Sequence, residues 1–149
     1  MNEEARQRAL RLLEKRDYSR KTLMDKLTEK GVSEADAAEV ADRLCEAGAV
    51  DDARYAELVV RHYARKGYGE RRITEELYRR GVSRELWEEA LSQMPESEDA
   101  VYRLLANKLR GTDGSPEAIR KAQSYLLRRG YSWEEIRAAL EHYQRSEET

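Results

Sequence analysis

The stretch Leu23-Met24-Asp25-Lys26-Leu27-Thr28-Glu29-Lys30-Gly31-Val32-Ser33 decides the fold, because the chain repeats its pattern twice. It recurs as Ile73 to Ser83 and again as Ala122 to Ser132, so that the glycines stand at positions 31, 81 and 130. Each copy keeps an apolar residue eight positions before its glycine and a leucine four positions before it, which places both on one face of a helix. This period predicts three tandem copies of one structural unit.

The end of each copy has the pattern of a helix stop followed by a helix start. The three tripeptides are Gly31-Val32-Ser33, Gly81-Val82-Ser83 and Gly130-Tyr131-Ser132. Glycine adopts the left-handed conformation that closes a helix, and serine caps the following helix with its side-chain oxygen. Apolar residues recur at helical spacing after each serine, so we expect one more helix there in every unit.

A further helix precedes each of these pairs, and its three predicted copies are Ala5 to Lys15, Asp52 to Arg65 and Asp99 to Leu109. We therefore predict an all-α fold of three tandem three-helix repeats. Their predicted limits are residues 1–50, 51–95 and 96–145, with a frayed tail at residues 146–149. Because a unit this small buries little surface alone, the repeats must pack in series, which predicts an elongated, curved, solenoid-like monomer.

Composition and charge restrict the classes of function. Charged residues make up 39% of the chain, against about 25% in a typical domain, which favours helices with wide solvated faces. The formal net charge is −2, whereas proteins that bind DNA through its phosphates alone are usually basic, so we expect a protein partner. A single cysteine, Cys45, fits a reducing compartment. No apolar stretch of membrane length is present, so we expect a cytoplasmic protein without a membrane partner.

No group of residues in the sequence has the pattern of a catalytic site. His62 and His142 fall in different repeats and lack a second ligand at metal-binding spacing. The pair Asp51-Asp52 resembles part of a nuclease metal site, but it stands where a helix begins, and carboxylates are favoured there as caps. The sequence also lacks a Gly-Lys-Ser or Gly-Lys-Thr phosphate loop. We expect no enzyme activity, no metal and no cofactor.

Basic residues concentrate in two stretches, which we predict to form the positive surface of the protein. The helices that follow the serines are acidic instead, for example from Glu34 to Asp42, so an ordinary helix-turn-helix reader of the DNA major groove is excluded. The candidate binding residues are Arg61, Arg65, Lys66, Arg71, Arg72, Arg79, Arg80, Lys108, Arg110, Arg120, Lys121, Arg128 and Arg129.

Some of these cations have a second interpretation. Arg79-Arg80 and Arg128-Arg129 fall in the last turns of helices, where the helix dipole stabilises positive charge. Arg71-Arg72 lies near a helix start, where the dipole is unfavourable, so this pair points more strongly to a ligand. This region also contains Tyr63, Tyr68 and Tyr78. These tyrosines either stack on single-stranded bases or, as is more common, pack at the edge of the core.

The sequence resembles the RecX family of regulatory proteins over nearly its whole length. Val50-Asp51-Asp52-Ala53-Arg54-Tyr55-Ala56 is similar to the element that opens the family's middle repeat. Lys66 to Ile73, with Glu76-Leu77 and Gly81-Val82, is similar to the element that follows it, and Leu126 to Ser132 resembles the family's closing element. The resemblance implies binding in the groove of the RecA recombinase filament, weak binding to single-stranded and also double-stranded DNA, and inhibition of the filament's ATPase, strand-exchange and coprotease activities.

Two other classes of function stay open at the level of the sequence. A freestanding DNA-binding protein would need only DNA, and its affinity would fall steeply with salt. A nuclease would need a metal or nucleophile site, for which the sequence offers no candidate beyond Asp51-Asp52.

Overall fold

A computed structural model describes residues 2–148, and every regular element in that range is helical, which confirms the all-α prediction. A short 3-10 turn, Arg84–Leu86, leads directly into the sixth helix. The helices of the described range are α1 (Glu3–Lys15), α2 (Arg20–Glu29), α3 (Glu34–Glu46), α4 (Asp52–Arg65), α5 (Glu70–Arg79), α6 (Trp87–Leu91), α7 (Ser97–Leu109), α8 (Pro116–Arg128) and α9 (Trp133–Glu148).

Two of the three predicted serine caps are present. Ser33 Oγ accepts a hydrogen bond from the Asp36 N–H at 3.2 Å, and Ser132 and Glu135 exchange hydrogen bonds in a capping box. Ser83 makes no side-chain cap hydrogen bond. The reason lies in the next turn, which is a 3-10 turn. The Leu86 N–H, which a capping serine side chain would bind, donates instead to the Ser83 carbonyl at 3.0 Å.

The neighbours Asp51 and Asp52 both cap helices, although not the same helix. Asp51 Oδ1 accepts a hydrogen bond from the Arg54 N–H at 3.2 Å, which caps α4. Asp52 Oδ1 accepts one from the Arg20 N–H at 2.8 Å, which satisfies an N–H group in the first turn of α2. Each carboxylate therefore holds a helix start.

The chain forms two compact units, and the limit between them runs through the second repeat. Unit 1 holds the described residues up to Val59 together with Glu76–Ala90, and unit 2 holds Val60–Glu75 together with the described residues from Leu91 onward. The core of unit 1 contains Leu23, Leu27, Val40, Ala41 and Leu44, and that of unit 2 contains Val101, Leu105, Leu126, Tyr131 and Ile136. The apolar positions that define the sequence repeat are buried as predicted.

In each unit, hydrogen bonds join the start of one helix to the residues that follow another helix, and we call this contact the clasp. In unit 1, Ser19 Oγ before α2 donates a hydrogen bond at 2.6 Å to the Arg80 carbonyl after α5. In unit 2, the Gly69 N–H before α5 donates to the Arg129 carbonyl after α8 at 2.7 Å, and the Arg71 N–H donates to the Gly130 carbonyl at 3.2 Å. The start of one repeat's second helix is thus joined to the end of the next repeat's second helix.

Backbone contact at the unit 2 clasp leaves no room for a side chain. A Cβ at Gly69 would lie 2.6 Å from the Gly130 carbonyl carbon, and a Cβ at Gly130 would lie 2.5 Å from the Arg72 nitrogen. Gly130 also has a φ of +101°, which is strained for any residue with a Cβ. Glycine is therefore required at position 130 for both packing and conformation.

The final helix is longer than the sequence predicted. α9 continues to Glu148, so residues 146–148 are helical where we expected a frayed tail, and Thr149 lies outside the described residues. Residues 144–148 are Gln, Arg, Ser, Glu and Glu, most of which form helices readily. Ser146 Oγ donates a hydrogen bond to the His142 carbonyl at 3.0 Å, which ties its side chain to the preceding turn.

Candidate functional site

The clasp of unit 2 holds two of the predicted binding residues in place. Arg129 donates hydrogen bonds to the carbonyls of Lys66 and Gly67, which follow the end of α4. Arg71 donates to the carbonyl of Leu127 in the last turn of α8. All three carbonyls lie at or just after helix ends, so both guanidinium groups support helix ends within the fold.

Tyr131 adds a second donor at the same point. Its hydroxyl donates a hydrogen bond to the Gly67 carbonyl at 2.9 Å. The same carbonyl oxygen also accepts the hydrogen bond from Arg129. Burial raises the pKa of Tyr131, and the nearby charge of Glu135 acts in the same direction. The phenol therefore keeps the proton that it donates.

Cations and tyrosines alternate beside the clasp, in a group that we call the arginine–tyrosine cluster. The Arg72 guanidinium lies 5.5 Å from the ring centres of both Tyr63 and Tyr68. Arg129 lies 4.0 Å from the Tyr68 ring and 5.6 Å from the Tyr125 ring. The members are Tyr63, Arg72, Tyr68, Arg129 and Tyr125.

This cluster changes the interpretation of the Arg71-Arg72 pair. Near a helix start the pair pointed to a ligand, but both side chains have internal partners, namely the Leu127 carbonyl and the two tyrosine rings. Cation–π contacts of this kind stabilise a fold by about 0.5–2 kcal/mol. Reversing the charge at these positions would therefore disturb unit 2 as well as any binding surface.

An open groove between the end of α7 and α8 gathers the other cations of unit 2 around one tyrosine. It has a volume of about 710 Å³, and we call it the α7–α8 groove. Lys108 lies 4.1 Å from the centre of the Tyr125 ring, so the groove adjoins the arginine–tyrosine cluster. The basic residues that line it are Lys108, Arg120, Lys121 and Arg128, all of them exposed.

Two acids also line the α7–α8 groove, and neither cancels its charge. Lys121 pairs with Glu117 at 3.8 Å, but both side chains are largely exposed, and such pairs contribute little. The Ser115 N–H donates a hydrogen bond to Asp113 Oδ1 at 3.0 Å and lowers the pKa of this carboxyl. With four cations against two carboxylates, the groove can hold a phosphate or carboxylate ligand through charge-assisted hydrogen bonds.

Arg79 and Arg80 belong to unit 1, where an acid of the same helix binds both. Glu76 is only 5% exposed and accepts hydrogen bonds from Arg80 at 2.7 Å and from Arg79 at 3.0 Å. Arg80 also donates to the Tyr55 hydroxyl at 2.7 Å. Burial by itself would lower the pKa of Arg80, but these hydrogen bonds outweigh it and raise the pKa. Arg80 is therefore a structural cation, whereas the Arg79 side chain remains 66% exposed.

The remaining predicted residues are exposed at helix ends in unit 2. Arg61, Arg65 and Lys66 lie in or just after the last turns of α4, and Arg110 follows α7 and donates to Asn107 Oδ1 at 3.1 Å. Of the three candidate stacking tyrosines, Tyr63 and Tyr68 belong to the arginine–tyrosine cluster, and Tyr78 is 73% exposed in unit 1.

Sequence reasoning missed two parts of these surfaces. Tyr125 was not singled out, although it stands four residues before Arg129 on the same helix face. A second basic groove, between α1 and the end of α2, was also missed. Its signal is the spacing of Arg8, Arg11 and Lys15, which places three cations on one face of α1.

The described residues lack two further features. Within residues 2–148, no three His, Cys, Asp or Glu side chains come together as a metal site would require. None of the helices in the described part of the chain has the length and apolar composition needed to cross a bilayer.

Comparison with known proteins identifies the architecture. Models of the first, second and third three-helix domains of RecX match residues 5–44, 51–91 and 96–140. The chain is 36% identical to the regulatory protein RecX of Chromohalobacter salexigens over 135 residues, which cover 90% of this chain and 89% of the relative. It is 42% identical to the regulatory protein RecX of Xanthomonas oryzae pv. oryzae (strain MAFF 311018), with coverage of 89% and 84%.

Solved structures agree on the fold. The crystal structure of RecX from Lactobacillus salivarius superposes with a TM-score of 0.83 at 22% identity and covers 94% of both chains. A second crystal structure, of a regulatory protein RecX, superposes with a TM-score of 0.84 at 22% identity and covers 93% of this chain and 72% of the other.

Proposed function

The chain belongs to the RecX family of regulatory proteins, and on that premise we propose that it binds the RecA recombinase filament on DNA and inhibits the filament's ATPase, strand-exchange and coprotease activities. The chain regulates by binding, without a catalytic step of its own and without a cofactor. The exposed cations of unit 2 make the contact with the filament.

The α7–α8 groove is the observation that carries this proposal. Its exposed arginines present planar donors that fit phosphate or carboxylate oxygens, and Tyr125 offers a ring to a base or an apolar side chain. By contrast, the side chains of Arg71, Arg80 and Arg129 are engaged within the fold. We therefore assign ligand contact first to Lys108, Arg120, Lys121 and Arg128.

The charge of the whole chain favours a partner that contains both protein and DNA. A formal net charge of −2 gives little long-range attraction to bare DNA, so affinity must come from short-range contacts. A nucleoprotein filament offers phosphates and protein groups side by side. Binding to bare single-stranded or double-stranded DNA is correspondingly weak in this proposal.

The test is the ATPase activity of RecA on single-stranded DNA, titrated with the wild-type chain and with an Arg120→Gln/Arg128→Gln variant. We expect the wild type to inhibit, and the variant to require on the order of tenfold more protein, which corresponds to about 1.4 kcal/mol. That is a modest loss for two charge-assisted contacts.

A matched control removes two exposed arginines of the same unit outside the groove, in an Arg137→Gln/Arg145→Gln variant. We expect this control to inhibit like the wild type. Unchanged ATPase at several-fold excess of wild-type protein over RecA would overturn the proposed function. Equal inhibition by the groove variant and the control would overturn the site.

The same groove also supports a second candidate function, that of a freestanding DNA-binding protein. Four cations beside a tyrosine suit single-stranded DNA without any recombinase. This function predicts tight binding to bare DNA that falls steeply with salt, and no greater effect on the recombinase than competition for DNA explains. The two candidates are separated by adding this chain to preformed RecA filaments in the presence of saturating DNA. Competition for DNA has no effect under that condition, so only binding to the filament lowers the RecA ATPase activity.

A further inference from the structure

A second basic groove lies in unit 1, on the surface formed by α1 and the end of α2. We call it the α1–α2 groove, and its volume is about 500 Å³. It shares no residue with the α7–α8 groove. The residues that line it are Arg8, Arg11, Leu12, Glu14, Lys15 and Lys30.

One cation of this groove is fixed by the fold, and three are available to a ligand. Arg8 donates to the Lys30 carbonyl at 2.8 Å and pairs with Glu4 at 3.3 Å, so it joins the two helices that form the groove. Arg11, Lys15 and Lys30 are exposed, and their side chains have no acidic partner among residues 2–148. Glu14 is the single acid in the lining.

Three cations lie close together along one face of α1. Arg8, Arg11 and Lys15 follow one another at spacings of three and four residues, where like charges on a helix repel. The helix dipole favours Lys15 in the last turn but gives no support to Arg8, which lies near the middle of α1. Lys30 at the end of α2 adds a further positive charge to the same groove. An anionic ligand would relieve this repulsion.

We propose that the α1–α2 groove binds the phosphate backbone of nucleic acid, as a second contact separate from the α7–α8 groove. This inference rests on the proposed function in one respect, namely that the partner is a filament that contains nucleic acid. From Arg8 to Lys15 the helix rises about 10 Å, at 1.5 Å per residue. That length allows the row of cations to contact more than one phosphate along a nucleic-acid strand.

The composition of the lining favours a phosphate chain over an acidic protein segment. Protein interfaces depend on a few buried aromatic or aliphatic anchors, and this groove offers only Leu12 as an apolar surface. A polyanion needs no such anchor, because its affinity comes from charge neutralisation and counterion release. The groove also contains no aromatic ring, so it can contact a backbone without stacking on bases.

The experiment uses the full chain and a fluorescein-labelled oligothymidylate, with the dissociation constant measured over a range of salt concentrations. The test variant is Arg11→Gln/Lys15→Gln. On single-stranded DNA each phosphate contact contributes about 0.7 to the slope of log K against log salt. We expect the variant to lower the magnitude of that slope by about 1.4 and to bind several-fold more weakly at low salt.

Two companion variants separate a specific contact from loss of charge or loss of structure. Arg43→Gln/Arg54→Gln removes two exposed cations of unit 1 outside the groove and should keep the wild-type slope. The Arg11→Lys/Lys15→Arg variant keeps the charge of the groove and should also keep the wild-type slope. A test variant with the slope of the Arg43/Arg54 control overturns the proposal, as does a wild-type chain that fails to bind the oligonucleotide at low salt.

The outcome is distinguishable from that of the proposed function. If the wild type leaves RecA ATPase unchanged while the slope difference persists, the proposed function fails and the phosphate contact stands. If the test variant keeps the wild-type slope on DNA but binds the recombinase filament more weakly, the groove contacts protein and the phosphate assignment is wrong.

Discussion

At the scale of single residues, two adjacent carboxylates support different helices. Asp51 caps α4 through the Arg54 N–H, while Asp52 satisfies the Arg20 N–H at the start of α2. Acid pairs of this kind also occur in metal sites. Here each carboxylate accepts a hydrogen bond from a backbone N–H at a helix start, which favours capping over metal binding. One carboxylate oxygen of each aspartate accepts a hydrogen bond from a backbone N–H, and the amide oxygen of an asparagine would serve equally well.

We predict that alanine at either aspartate lowers the free energy of unfolding by about 0.5–2 kcal/mol, because each change leaves a helix N–H without its acceptor. Asparagine at both positions should largely restore stability. Urea unfolding followed by circular dichroism measures both effects. A double asparagine variant that is stable but no longer inhibits RecA would show that the carboxylate charge itself has a function.

Arginine shows the same division of roles. Arg80, with its side chain 27% exposed, is held by Glu76 and Tyr55, whereas Arg120 and Arg128 lie exposed along the α7–α8 groove. Breaking a buried pair leaves an uncompensated charge and is costly, whereas removing an exposed arginine costs little stability. Substitutions at exposed groove arginines are therefore the cleaner tests of binding.

At the scale of the element, the clasp between helix ends depends on backbone contact. Gly130 combines a positive φ with a site where a Cβ would approach the Arg72 backbone. Gly111, also in unit 2, has a φ of +78° with nothing within 4 Å of a Cβ position. The two glycines form a matched pair, since alanine at Gly111 meets backbone strain alone and alanine at Gly130 meets strain and collision.

We predict that Gly130→Ala lowers the free energy of unfolding by about 1–3 kcal/mol more than Gly111→Ala does, because overpacking adds to the conformational cost. Chemical denaturation of the two variants in parallel gives the difference directly. Equal losses of stability would mean that the helix ends at Gly69 and Gly130 separate in solution without cost, and the clasp would then not hold the arginine–tyrosine cluster.

At the scale of the whole molecule, the net charge of −2 conceals a separation of charge between helices. α8 carries Arg120, Lys121 and Arg128 against Glu117, whereas the first turn of α9 carries Glu134 and Glu135. Salt screens interactions beyond about 8 Å at physiological ionic strength. The basic grooves therefore act at contact distance, while the chain as a whole exerts little attraction on bare DNA.

The arrangement of the repeats in space stays a prediction from the sequence. Repeats that contact only their neighbours predict an elongated monomer. Small-angle scattering should then give a radius of gyration above the roughly 15 Å expected for a compact domain of this length. A value near that limit, from a sample shown to be helical by circular dichroism, would contradict the solenoid.

The sequence by itself determined the helices, their order and their buried faces, because glycine stops, serine starts and apolar spacing act locally along the chain. It also determined the family, whose motifs cover all three repeats. Only the tertiary structure decided which cations are available to a ligand. Arg80, Arg128 and Arg129 have the same sequence signal, that of an arginine at the end of a helix. Arg128 stays exposed at the α7–α8 groove, whereas the fold brings Tyr55 to Arg80 and the Gly67 carbonyl to Arg129 from distant positions.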